Sequence, residues 1–186
     1  MSEPRTLVLI PIKSFDASKS RLRGALSDDD TVVLTRRLAR GVINAAHPRE
    51  CRVVCDDDEV AEFARECGAT ALIVESRTLN DALREAIDQL DGVDVIVIAH
   101  GDLARPEGLG QFSPNDGVTI VTDRHRSGTN VLALPAGVAF DLAFGADSAR
   151  RHEQEARRRG LAVTVITDSP WGYDVDVPDD LTEPLT

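Results

Sequence analysis

Read for hydrophobic and polar positions alone, the chain breaks into short apolar runs separated by amphipathic stretches. Runs of strand length are TLVLIPI (6–12), CRVVC (51–55), TALIV (70–74), DVIVIA (94–99) and GVTIV (117–121). Between the first four, apolar residues recur with helical period. Over 27–46, Ser27 stands as an N-cap before Asp28, Asp29 and Asp30, whose charge suits the positive end of a helix, and Leu34, Leu38, Val42 and Ala45/Ala46 share one face. Over 57–67, Val60, Phe63, Ala64 and Cys67 are spaced as on a helix. Leu79, Ala82, Leu83, Ala86, Ile87 and Leu90 form the cleanest stripe in the chain.

Strands that alternate with helices in this way build βαβ units and a parallel sheet. Beyond residue 100 the pattern loosens into a loop rich in Pro and Gly (101–117), then NVLALP, a helix near 146–159, and two further strands, AVTVIT and WGYDVDVP. No repeat, low-complexity tract or linker interrupts this order. The expectation is a single α/β domain over 1–186, Rossmann-like, with a mixed, mostly parallel sheet flanked by helices.

Composition narrows the function classes. A chain of 186 residues supports one substantial core. A formal net charge of -11 argues against a nucleic-acid polymer as partner, since such partners select a basic face. Small anionic ligands stay open, because a local basic pocket can oppose the overall field. Cys51, Cys55 and Cys67 have neither Cys-x-x-Cys spacing nor an even number, so buried thiols in a reducing cytoplasm are expected. The opening apolar run is too short for a signal peptide or a membrane span, which again points to the cytoplasm, away from the membrane.

Ligands of open parallel sheets gather beyond the carboxyl ends of the strands, so the residues after each strand carry the candidate chemistry. After the first strand, PIKSFDASKSRL gathers Lys13, Lys19 and Arg21, with Arg23 close behind. It is no P-loop, since no glycine precedes Gly24. It would have to hold phosphate by side-chain charge, unless it is only a solvated basic loop. DVIVIA ends in HGDL, which puts His100 and Asp102 at the ligand edge. An aspartate there either holds Mg²⁺ or caps a turn, and His100 is equally a ligand or a structural histidine. If WGYDVDVP is a strand, Asp174 and Asp176 share one face about 7 Å apart, as a solvated pair or one bridged by a cation. Ser127, Gly128, Thr129 and Asn130, then Gly145 and Ser148, either offer hydroxyl and backbone donors to an anion or serve ordinary turns and caps, and ADSARRH reads as a helix start. Asn80 is either a local cap or a base or ribose contact. The runs Arg36/Arg37/Arg40 and Arg157–Arg159 read as solvated helix faces.

Taken in order, PIKSFDASKSRL, LNDAL, HGDL, DRHRSGTNVL, FGADSARRH and DVDVPDDL resemble the 2-phospho-L-lactate guanylyltransferase family of deazaflavin coenzyme biosynthesis, over about residues 7 to 181. The resemblance implies a nucleotidyltransferase that moves GMP from GTP onto the phosphate of 2-phospho-L-lactate, phosphoenolpyruvate or 3-phospho-D-glycerate, with release of pyrophosphate. It implies that Lys13, Lys19 and Arg21 hold the triphosphate and serve catalysis, that Pro11 and Asn80 complete the nucleotide site, and that Asp102, Asp174 and Asp176 bind Mg²⁺. Thr129, Asn130, Gly145 and Ser148 match positions that receive the acceptor acid. A homodimer is compatible with it.

The chemistry agrees: the attacking phosphate oxygen is already anionic, so no strong base is needed, and the work is charge neutralisation and alignment. Departures fall on the acceptor side. Ala104 and Arg105 follow Asp102–Leu103 where the family usually has Pro. Asp147 replaces a glycine before Ser148, and His125, Arg126 and Ser127 replace smaller or acidic residues. A changed acceptor is the expected consequence. Two alternatives stand beside this: a nucleotidyltransferase for another phosphorylated acceptor, whose glycine-rich first loop is lacking here, and a non-catalytic nucleotide-binding regulator, which would have little need of three carboxylates.

Overall fold

The computed structural model describes residues 4–15, 25–76 and 78–175. Among these residues seven strands form one sheet: β1 (Thr6–Pro11), β2 (Glu50–Cys55), β3 (Thr70–Ile73), β4 (Val95–Ala99), β5 (Val118–Thr122), β6 (Thr129–Pro135) and β7 (Val163–Ile166), in the order β3-β2-β1-β4-β6-β5-β7. β6 alone runs against its neighbours β4 and β5; the other pairings are parallel.

Four helices cover the two faces: α1 (Asp28–Ala46), α2 (Asp58–Glu66), α3 (Leu79–Ile87) and α4 (Ser148–Arg158). Because side chains alternate along a strand, Val8 and Ile10 of β1 pack toward α1 and α2, while Leu7 and Leu9 pack toward α3 and α4. Both faces of the central strands are therefore buried, which is why they read as unbroken apolar runs rather than alternating ones. Among the described residues no helix is long and apolar enough to cross a membrane.

Local signals act as read. Ser27 Oγ accepts the Asp30 N–H at 3.1 Å and caps α1. Asp57 caps α2 through the Val60 N–H, and Thr78 caps α3 through the Asp81 N–H. One expectation needs correction. WGYDVDVP does not begin as a strand. Ser169 Oγ accepts the Trp171 N–H and Pro170 takes the first helical position, so Pro170–Gly172 is a 3-10 turn. Asp174 then forms a single bridge with Leu103. The arginine runs are exposed apart from the half-buried Arg36, as read, and they make contacts besides. The Arg36 guanidinium lies 4.7 Å from the Phe15 ring and pairs with Glu59, and Arg40 lies 5.1 Å from Phe63. Arg158 and Arg159 both bind the nearly buried Glu155.

Candidate active site

The carboxyl ends of β1, β2, β3 and β4 open into one cleft with two lobes. Pro11, Ile12, Lys13 and Leu79 line both. The lobe toward β2 and β3 adds Val54, Val74, Thr78 and Ala82, with Asp56 and Ser76 at its polar margin. The lobe toward β4 adds Thr35 and Ala39 of α1 with His100, Gly101 and Asp102, and holds about 650 Å³ of empty space open to solvent. Its walls are mainly aliphatic, and Lys13 is the exposed cation between the lobes. Gly101 has a local reason: a Cβ there would stand 3.1 Å from Ile12 Cγ1 and 3.5 Å from the Pro11 carbonyl, closing the gap between the ends of β1 and β4. The segment before α3 is held by Glu85, which accepts the Glu75 and Ser76 N–H groups and the Ser76 hydroxyl. These bonds keep its carboxyl below the ordinary glutamate range.

Asp102 and Asp174 are brought together by backbone. The Ala104 N–H donates to the Tyr173 carbonyl at 2.8 Å and the Val175 N–H to the Asp102 carbonyl at 3.2 Å, on either side of the Leu103–Asp174 bridge. Asn130 Nδ2 donates to Asp174 Oδ1 at 3.3 Å and to the Trp171 carbonyl at 3.0 Å. Two half-buried carboxylates on paired segments are a hard-oxygen donor set of the kind Mg²⁺ takes alongside phosphate oxygens. Among the described residues no group of three His, Cys, Asp or Glu side chains gathers around one point. Asp176, the third expected ligand, lies outside the described residues, as do Lys19 and Arg21.

The proposed acceptor residues converge where β6 begins. Because β6 is reversed, its first residues arrive at the same edge as the last residues of β4, and the His100 N–H donates to the Asn130 carbonyl at 3.0 Å. Thr129 and Ser148 are 2% and 1% exposed, and the Thr129 N–H donates to Ser148 Oγ at 2.8 Å. The Ala149 N–H donates to the Ser127 carbonyl, tying the 123–128 turn to the start of α4. Gly145 has φ +120° and Asp147 φ +54°. The second value lies in the left-handed region that favours glycine, and aspartate is among the few other residues that tolerate it. The Asp147 carboxylate is exposed and makes no cap bond to α4.

Two residues have roles that sequence reading did not single out. Asn80 spends its amide on a loop: Oδ1 accepts the Phe144 N–H at 2.7 Å and Nδ2 donates to the Phe144 carbonyl at 3.1 Å. It thereby clamps the residue before Gly145, so a nucleoside contact would fall to its remaining N–H and lone pair. His152 is completely buried, within hydrogen-bond distance of both Thr129 Oγ1 and the Ala143 N–H. Burial, reinforced by the Arg151 charge, pulls its pKa down to about 4. His152 is one turn beyond Ser148 on the buried face of α4, with Ala149, Glu155 and Ala156, and chain position alone does not name its partners.

Comparison with known proteins agrees with this layout. The family model described as guanylyl transferase CofC like matches residues 6–186. The phosphoenolpyruvate guanylyltransferase of Sphaerobacter thermophilus is 34% identical over 96% of this chain and 91% of its own. The 2-phospho-L-lactate guanylyltransferase of Methanocaldococcus fervens is 28% identical over 95% and 83%. In fold, a nucleotide-diphospho-sugar-transferase-like protein of Desulfovibrio desulfuricans superposes with TM-score 0.73 at 16% identity, covering 96% of this chain and 85% of that one. A nucleotidyl transferase from Methanothermobacter does so with TM-score 0.63 at 15% identity, over 95% and 94%. The reversed β6, the two-lobed cleft and the family match over nearly the whole chain lead to one assignment: the chain belongs to the guanylyl transferase CofC like family.

Proposed function

We propose that this chain transfers GMP from GTP to the phosphate of a small phosphorylated carboxylic acid, with phosphoenolpyruvate, 2-phospho-L-lactate and 3-phospho-D-glycerate as the candidates, and releases pyrophosphate in the cytoplasm. The observation that carries the reading is the division of the ligand edge. An aliphatic cleft with Lys13 at its mouth lies on one side of Asp102, and a set of buried hydroxyls at Thr129 and Ser148, which line neither lobe, lies on the other. The names of the relatives support guanylyl transfer and this class of acceptor.

In this reading the aliphatic lobe between Val54, Val74, Leu79 and Ala82 takes the nucleoside, and Asn80 contributes at its edge. Lys13, joined by Lys19 and Arg21, holds the triphosphate by charge. Thr129, Asn130, Gly145 and Ser148 orient the acceptor so that one of its phosphate oxygens faces the α-phosphorus. A P–O bond forms there as the bond to the β-phosphate breaks, and the electron pair leaves on pyrophosphate. The nucleophile is already ionised, so no side chain need take a proton. Asp102, Asp174 and Asp176 would hold Mg²⁺, which when bound neutralises phosphate charge along the line of displacement.

The test is pyrophosphate release with GTP and Mg²⁺, each acid offered in turn and ATP as control. Release with one acid and GTP only is expected. Silence with all three, in protein that still binds GTP, would overturn the reading.

A further inference from the structure

His152 lies on α4 with the Phe140 and Phe144 ring centroids 6.0 and 4.8 Å from its own. Its Nε2 is 2.9 Å from the Ala143 nitrogen, and a backbone N–H can only donate, so Nε2 carries the lone pair. A neutral ring then has its single proton on Nδ1, 3.0 Å from Thr129 Oγ1, and Thr129 must accept it. Thr129 keeps a hydroxyl proton of its own, which has no acceptor among the described residues. Ser148 repeats the arrangement: its Oγ accepts the Thr129 N–H, and its proton too has no acceptor among the described residues. Two hydroxyls, each under 3% exposed and each fixed as acceptor on one side, are left to donate on the other. That is a pair of aimed donors suited to the oxygens of an anion.

We infer that His152 is a positioning residue for the acceptor-binding hydroxyls: as a neutral imidazole it locks Thr129 into the orientation that donates to the bound acid, while anchoring the 140–145 segment through Ala143. The inference rests on the guanylyltransferase reading for the identity of that acid. It also gives Thr129 and Ser148 a direction that their residue types do not supply. The charged and titratable groups acting on the ring are Arg151 on α4 and His100 at the end of β4. Both oppose its protonation.

The test separates the two ring nitrogens. His152→Asn can place an amide N–H near Nδ1 and still donate to Thr129, whereas His152→Gln reaches the Nε2 position and can serve only Ala143. Calorimetric titration with phosphoenolpyruvate is expected to show His152→Asn within about threefold of the parent and His152→Gln weaker by about tenfold or more, with GTP affinity unchanged in both. Thr129→Val should lose about as much as His152→Gln, and the double variant no more than Thr129→Val alone. Equal weakening in the two His152 variants, additive losses in the double variant, or no binding by the parent would each overturn the inference. Should a His152 variant fail to fold, Thr129→Ser against Thr129→Val decides: the serine variant must keep the affinity that the valine variant loses. Turnover by the parent protein is scored separately. Tight acid binding without pyrophosphate release would overturn guanylyl transfer and leave the role of His152 standing.

Discussion

The two halves of the sheet meet the ligand edge by different means. On the parallel side, β3-β2-β1-β4 end together and present aliphatic walls with Lys13 between the two lobes. On the other side, the reversed β6 starts at that edge and delivers Thr129 and Asn130 into a hydrogen-bonded set closed by Ser148, His152 and Asp174. Apolar walls and an exposed cation bind without demanding a particular direction, whereas buried hydroxyls bind only what lies along their O–H vectors. In the proposed reaction this contrast would give tolerance to the nucleotide half and discrimination to the acceptor half.

The seam between the halves is the most sensitive place to test this. Asp102→Asn should cost on the order of 10²- to 10³-fold in kcat/KM with both substrates while leaving the circular dichroism spectrum unchanged. A loss confined to one substrate would move Asp102 into a single half. Next comes Thr129→Val, expected to raise the acceptor KM by about tenfold or more and leave the GTP KM within about twofold. A parallel rise in both would erase the contrast.

Acid should also unravel the acceptor half first. The folded pKa of His152, about 4, lies below its ordinary value of 6.5, so the unfolded chain takes up the proton first as pH falls. The contribution is complete above about pH 6.5 and is lost between there and pH 4, amounting to about 3 kcal/mol. Glu155, held down to about 2 by hydrogen bonds to Arg158 and then Arg159, extends the loss at lower pH. Thermal melts across pH 4–7 should be steeper for the parent protein than for His152→Asn. The smallest effect is Asp147→Gly, which relieves a left-handed aspartate and should stabilise by about 1 kcal/mol or less. It also removes a carboxylate beside the acceptor residues, so the acceptor KM should fall. An unchanged KM would show that the Asp147 side chain stays clear of the bound acid.

Much of this was legible in the sequence, element by element. All seven strands of the sheet stand at apolar runs marked in advance, and Ser27 caps α1 as its position required. The direction of β6 was not legible. NVLALP is buried on both faces, as parallel strands are, and burial carries no record of polarity. The strand read at WGYDVDVP failed because Ser-Pro starts a helical turn, which outweighs the alternation that follows it. Thr129, Ser148 and Asp102 could be nominated from chain position, since loops at strand ends are where ligands sit. The work of Asn80 and His152 could not, because each acts on the backbone or side chain of a residue far along the chain or across α4. Only the fold makes those partners neighbours.

The β5–β6 turn is pinned at its base by the Asp123 N–H to the Gly128 carbonyl and by Ser127 N–H to Asp123 Oδ1. Its tip is free of the nucleotide cleft, while its far end feeds directly into Thr129. For protein engineering, an exchanged 124–127 segment has to keep two backbone ties, the Arg124 N–H to the Gly172 carbonyl and the Ala149 N–H to the Ser127 carbonyl. A transplanted turn of the same span that keeps both ties would alter the surroundings of Thr129 and leave the two lobes of the cleft as they are.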